Sequence, residues 1–114
     1  MRYRTLNKNW HFNRVYGRGK SYVHPHCVLY VAKNRLGYTR IGLTATKKVG
    51  HAVQRNRLRR QLREIYRLHE TSFARGYDLV VVARSRAIGA DYAALEHAYL
   101  SLAARLGLLT QNTP

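Results

Sequence analysis

The chain has 114 residues and sets 21 Lys and Arg against five acids, a formal net charge of +16. That length suits one ordinary domain, and hydrophobic residues at 46% exclude wholesale disorder. A folded chain so charged repels itself, which points to an anionic partner, either nucleic acid or an anionic membrane surface. No stretch approaches the roughly 20 apolar residues of a membrane span. The opening from Met1 to Lys8 lacks the apolar run of a signal peptide. The single Cys27 cannot form an internal disulfide. Together these three observations point to a reducing, intracellular compartment, and a cytoplasmic setting with no membrane partner is expected.

In chain order, Phe12, Val15 and Tyr16 recur at helical spacing and predict a short helix over Asn9–Tyr16, with Gly17 as its stop. Residues 20–24 read as a strand broken by Pro25. The run from Cys27 to Ala32, rich in β-branched residues, reads as a better one, and Asn34–Gly37 as a turn. From Arg40 to Thr46 the pattern alternates: Ile41, Leu43 and Ala45 share one face, while Arg40, Gly42, Thr44 and Thr46 form a small, polar, half-exposed one. The period then becomes helical from Ala52 to about Glu70, with Leu58, Leu62, Ile65 and His69 on one stripe and Tyr66 beside it. Tyr77 to Ala83 is a continuous apolar run, the mark of a strand covered on both faces. A last helix over Asp91–Leu106 places Leu95, Tyr99, Leu102 and Leu106 together, with Asp91 to cap it and Gly107 to end it. The order is α-β-β-β-α-β-α, in one domain over residues 1–114 with its core at about 5–106. A flexible tail is expected over 110–114. One sheet with helices mainly on one face is the simplest architecture.

The chemistry concentrates in the second helix. At 3.6 residues per turn Asn56, Arg60, Arg63 and Arg67 fall on a stripe opposite the apolar one. Only Glu64 and Glu70 are available on that helix, too few to pair with its arginines. Arg55 and Arg57 sit near its N-terminus, where the helix dipole disfavours cations by about 0.3–1 kcal/mol each. Folding alone would place acids there. A phosphate-binding helix is expected instead, extended by Lys47, Lys48 and the Gly50 turn.

Catalytic groups are sparse. Glu64, Glu70, Asp78, Asp91 and Glu96 are scattered, where a metal-dependent nuclease needs clustered carboxylates. His24 and His26 beside Cys27 hint at zinc but lack a fourth ligand at sensible spacing. No catalytic residue and no protein-bound metal are therefore expected.

Lys47-Lys48-Val49-Gly50, Ala52-Val53, Arg55-Asn56-Arg57-Leu58-Arg59-Arg60 and Arg63-Glu64 together resemble the signature of the bacterial ribonuclease P protein family. The stretch from Leu6 to Tyr16, Val28-Leu29-Tyr30, and Gly76 to Arg84 resemble its first helix, second strand and last strand. The similarity covers about residues 5–106. It implies an α/β, or α+β, two-layer sandwich like domain 2 of ribosomal protein S5, with a left-handed βαβ crossover. It also implies two partners, a catalytic RNA subunit and precursor tRNA, with one protein per RNA. Mg²⁺ would be held mainly by the RNA subunit and substrate, and catalysis would lie in the RNA. The residues implied for the RNA subunit are Lys47, Lys48, Arg55, Asn56, Arg57, Arg59, Arg60, Arg63 and Arg67. Those implied for the 5′ leader of precursor tRNA are Phe12, Tyr16, Tyr30, Arg40 and Thr44. Two other classes stay open, a structural or ribosomal RNA-binding protein and a stand-alone endonuclease.

Overall fold

The computed structural model describes residues 3–6 and 8–110. Strands β1 (Tyr3–Thr5), β2 (Lys20–Val23), β3 (Cys27–Lys33), β4 (Thr39–Thr44) and β5 (Tyr77–Ala83) form one mixed sheet in the order β1-β4-β5-β3-β2. Three helices accompany it: α1 (Asn9–Arg18), α2 (Ala52–His69) and α3 (Tyr92–Arg105). β4 and β5 are parallel neighbours joined through α2, while β3 pairs antiparallel with both β5 and β2. The order expected from the sequence lacks β1, which is three residues long and pairs only with β4, in parallel, at the sheet edge. So short a strand carries no periodicity of its own.

Alternation along β3 and β5 sorts their side chains to two faces. On one face Leu29, Val31, Ile41, Leu79 and Val81 meet Leu58, Leu62, Ile65 and Tyr66 of α2 and Leu95, Tyr99 and Leu102 of α3. Each such fully buried aliphatic side chain contributes about 1.5–3 kcal/mol. The other face was expected to be half-exposed, but α1 covers part of it. Leu6, Val15 and Val80 are buried there, with Phe12, Tyr30, Ala32 and Val82 packed around them. The helices therefore occupy both faces, two on one and one on the other.

Helix ends explain the shifted boundaries. α1 runs through Gly17, where an added Cβ would meet nothing within 4 Å, and stops at Gly19, whose N–H donates to the Val15 carbonyl at 2.8 Å. A Cβ on Gly19 would stand 2.5 Å from both the Val15 and Val31 carbonyl oxygens, so the residue is set by close approach of α1 to β3. Asp91 caps α3 as expected, accepting from the Ala94 N–H at 2.8 Å. His69 leaves the apolar stripe of α2 and places Nε2 2.8 Å from Glu96 Oε2 on α3. Thr110, expected to begin a loose tail, is tied instead: its N–H and hydroxyl donate to the Ser72 carbonyl at 2.7 and 3.1 Å. The rest of that expected tail lies outside the described residues.

One polar cluster is buried. Asp78 is 1% exposed and accepts from Arg40 Nε at 2.8 Å, Arg40 Nη2 at 2.7 Å and Asn34 Nδ2 at 2.9 Å. Asn34 Oδ1 also accepts from the Leu36 N–H at 2.8 Å, and its Nδ2 donates to the Tyr38 carbonyl at 3.0 Å. Burial pushes the Asp78 carboxyl up, but the hydrogen bonds from Arg40 and Asn34 outweigh it and hold the group below the usual carboxylate range. A depressed carboxyl stabilises the fold above its unfolded value, about 3.9, and that contribution is lost as the pH falls through the folded value. Asp78→Ala should cost about 3–5 kcal/mol at neutral pH, because it leaves Arg40 buried and unpaired. In urea titrations the gap between wild type and variant should narrow below about pH 4. A gap independent of pH would rule out the carboxylate as its source.

Candidate nucleic-acid interface

The basic helix is built as its pattern suggests, with an added division among its cations. Leu58, Leu62, Ile65 and Tyr66 are buried, while Asn56, Arg57, Arg60, Arg63 and Arg67 are exposed, as are Lys47 and Lys48 ahead of the helix. The first turn contains no acid. The His51 N–H donates to Gln54 Oε1 at 2.8 Å, so an amide rather than a carboxylate serves the helix start. Arg55 Nη1 reaches the Gly50 carbonyl and Arg59 Nη1 the Ala45 carbonyl, both at 3.4 Å. Arg59 Nη2 also donates to Asn56 Oδ1. Arg55 and Arg59 thus brace the connection from β4 to α2, and each keeps further N–H groups free. Arg57, Arg60 and Arg63 make no ion pair among the described residues.

Arg67 differs from the expected open stripe. Its Nε and Nη2 donate to the two Glu64 oxygens at 2.7 and 2.6 Å, and this hydrogen bonding holds the Glu64 carboxyl below its ordinary range. The reason is spacing: residues three apart on a helix are neighbours, and Glu64 is placed to meet Arg67. The dearth of acids leaves most arginines on α2 unpaired, but not this one.

The second feature is a groove beside α1. The helix starts over the Asp78 end of the sheet, where Arg40 Nη1 lies 3.2 Å from His11 Nε2. Burial, then the nearby Arg40 charge, lowers the His11 pKa, so the ring is neutral and accepts this bond. α1 then covers Gly42, where a Cβ would stand 2.6 Å from Phe12 Cε1. Past the helix end the row Val28, Val82 and Thr44, aligned by strand register, is left half-exposed. Tyr16 and Tyr30 meet there edge to face at 4.8 Å, and Phe12 lies 6.5 Å from Tyr16. Burial raises the Tyr16 pKa, partly offset by a hydrogen bond with Thr44. Asn9, Phe12, Asn13, Tyr16 and Thr44 line the groove.

Four of the five candidate cleft residues are therefore brought together: Phe12, Tyr16, Tyr30 and Thr44. Arg40 is not among them. Its side chain is 15% exposed and its fork is closed on Asp78, because a carboxylate buried in that position must be paired. Asn9 and Asn13 were missed, although they stand three residues before Phe12 and Tyr16 on the same helical face. Arg84 and Arg86, which the sequence reading did not single out, are exposed in the loop after β5. The Ser85 hydroxyl between them donates to the Lys48 carbonyl at 3.3 Å, joining the β5–α3 loop to the β4–α2 connection. The His24, His26 and Cys27 group offers poor ligand chemistry. His24 Nδ1 accepts from the His26 N–H at 3.0 Å, and burial pushes the Cys27 thiol up to about 12, so it stays protonated. Four of the five acids are occupied elsewhere: Asp78 with Arg40, Glu64 with Arg67, Glu96 with His69, and Asp91 on its helix cap. Among the described residues no three His, Cys, Asp or Glu side chains gather to hold a metal, and no helix is long and apolar enough to cross a membrane.

Five strands and three helices, with an arginine-bearing helix on one face of the sheet and an aromatic groove on the other, define a small basic α+β protein. The family model for ribonuclease P matches residues 1–107. The ribonuclease P protein component of Natranaerobius thermophilus is 43% identical over 108 residues, covering 95% of this chain and 94% of that one. A Clostridium botulinum counterpart is 42% identical, covering 95% and 98%. Among solved structures, the RNase P protein of Staphylococcus aureus superposes with a TM-score of 0.86 at 26% identity, covering 93% of this chain and 97% of that one. That of Thermotoga maritima superposes with a TM-score of 0.78 at 30% identity, covering 85% and 92%. The chain belongs to the ribonuclease P protein family.

Proposed function

We propose that this chain binds a catalytic RNA subunit through α2 and holds the 5′ leader of precursor tRNA in the groove beside α1, assisting Mg²⁺-dependent removal of that leader. The observation that carries this reading is the pairing of an α2 face whose Arg57, Arg60 and Arg63 lack acid partners among the described residues with a groove edged by exposed Tyr16 and half-buried Tyr30. Guanidinium groups fit phosphates by planar, bidentate hydrogen bonding. Tyr16 and Tyr30, with Phe12 beneath, offer stacking faces that accept any base, which suits a leader of variable sequence. Asn9, Asn13 and Thr44 would hydrogen-bond the sugar and phosphate groups, and Arg40 would act through Asp78 by holding the sheet on which the groove rests.

In this reading the chain supplies no catalytic residue. Mg²⁺ would be held mainly by the RNA subunit and substrate, and would supply the activation of water for hydrolysis of the phosphodiester that joins the leader to the mature 5′ end. The protein lowers the repulsion between two polyanions and orients the leader. It acts in the cytoplasm, one protein per RNA.

The direct test is cleavage of a 5′-extended precursor tRNA at near-physiological Mg²⁺ by a bacterial ribonuclease P RNA, by this protein, and by both. Efficient cutting at the mature 5′ end is expected only from the mixture; cutting by protein free of contaminating ribonuclease would make the chain itself the nuclease. An unchanged RNA activity would favour a purely structural RNA-binding role. The double variant Arg60→Ala, Arg63→Ala should weaken RNA-subunit binding and reduce its salt dependence by about two units of slope; an unaltered slope would remove the phosphate contacts. Tyr30→Ala should weaken precursor tRNA by about 1–3 kcal/mol and leave mature tRNA nearly unaffected. Equal losses for the two would take the leader out of the groove.

A further inference from the structure

A cleft of about 330 Å³ lies between α2 and the loop joining β5 to α3, away from the groove and on the Arg57 flank of α2, beside the stripe of Asn56, Arg60 and Arg63. Gln54, Arg57, Leu58, Gln61, Ile88 and Ala90 line it. Its floor is apolar: Leu58 is 4% exposed, and Ile88 and Ala90 are half-buried. Its rim is polar and largely unpartnered. The half-buried Gln61 amide has no hydrogen-bond partner among the described residues, and neither has the Arg57 guanidinium. The Gln54 oxygen already accepts from His51, which leaves its NH₂ group free to donate.

These features select a ligand. The volume is at the low end for a small-molecule site, enough for one flat ring system. An apolar floor with two amides above it suits the edge and face of a nucleobase, which amide side chains read through paired donor and acceptor groups. A phosphate is disfavoured, because Arg57 is the lone cation in the lining and the Asp91 carboxylate stands at the rim. Position supplies the last step. Gln54, Arg57 and Gln61 share a flank of α2 about a third of a turn from Asn56, Arg60 and Arg63. A strand held by its phosphates on that stripe has its bases within reach of this flank. We propose that the cleft takes one unstacked nucleobase of an RNA whose backbone lies along α2, an inference that rests on the RNA-binding reading above.

The test separates base from backbone by salt dependence. Gln61→Leu preserves size and removes the amide. Binding of the variant to ribonuclease P RNA, and of precursor tRNA to the assembled holoenzyme, is measured over a salt series, with thermal unfolding as the folding control. Roughly tenfold weaker binding is expected, the scale of one lost base contact, with the salt slope unchanged because no phosphate contact is removed. Loss with the RNA subunit alone assigns the base to that RNA, and loss only with the precursor assigns it to the substrate. Ala90→Phe, which fills the cleft from its opposite wall, should reproduce the loss and decides the matter if Gln61→Leu unfolds. Binding within twofold of wild type in both arms, or a loss accompanied by a shallower slope, overturns the proposal. Wild-type protein that binds neither RNA would instead overturn the reading on which the proposal rests.

Discussion

The geometry of the groove side depends on one buried carboxylate. Asp78 lies near the start of the central strand β5, and its two oxygens gather Arg40 from β4 and Asn34 from just past the end of β3. Through Asn34 the same cluster orders the turn between β3 and β4, and through Arg40 it touches His11 at the start of α1. A buried ion pair adds little net stability compared with a well-packed apolar pair, but half of one is strongly destabilising. Such a cluster tolerates few alternatives, so it fixes where α1 begins. From that point the helix must cross Gly42, and it ends at Gly19 against β3. The row of Val28, Val82 and Thr44 is left half-exposed, and Tyr16 and Tyr30 meet at its edge. The groove is thus what remains of a sheet face after a helix has been seated by a carboxylate.

The other face carries a different conflict. Arginines in the first turns of α2 oppose the helix dipole, and no acid relieves them. Arg55 and Arg59 soften that cost by donating to carbonyls of the connection that leads into the helix, which also ties the connection to α2. Arg57, Arg60 and Arg63 gain no such partner. Charges that neither cap, pair nor brace reduce the stability of the isolated protein through mutual repulsion. On the proposed reading a polyanion neutralises them.

The sequence made the large elements legible wherever a period ran long enough. α2 and α3 follow from apolar stripes sustained over several turns, and β5 follows from seven residues with no polar interruption except Asp78. That exception was the informative residue, yet a lone Asp in a strand does not name its partner. Arg40 looked like an exposed cation on a polar face because alternation assigns a face without saying what covers it. β1 is too short for any pattern, and the choice between Gly17 and Gly19 rests on carbonyl contacts with β3 that no local rule contains. The basic helix and most of the groove were readable for a different reason, a long motif in a recognisable family. Asn9 and Asn13 needed only the helical period carried one turn back from Phe12 and Tyr16. The cleft beside Gln61 joins segments some thirty residues apart in sequence and had no local sign.

The two faces converge at one end of the sheet. β4 and β5 are parallel, so their C-terminal ends lie side by side, and the space beyond such ends is where sheets of this kind commonly hold ligands. Thr44 of the groove, Lys47 and Lys48 before α2, and Arg84 and Arg86 after β5 all follow from these two strand ends. The Ser85 hydroxyl bound to the Lys48 carbonyl joins the two loops. A strand lying in the groove and a second RNA lying on α2 would approach each other here, with cations from both loops between them. Electrostatic repulsion between two backbones is steepest where they come closest, and salt screens it only beyond about 8–10 Å. Fixed cations placed at that junction act where mobile counterions act least, so the position of the loops matters as much as the net charge they carry.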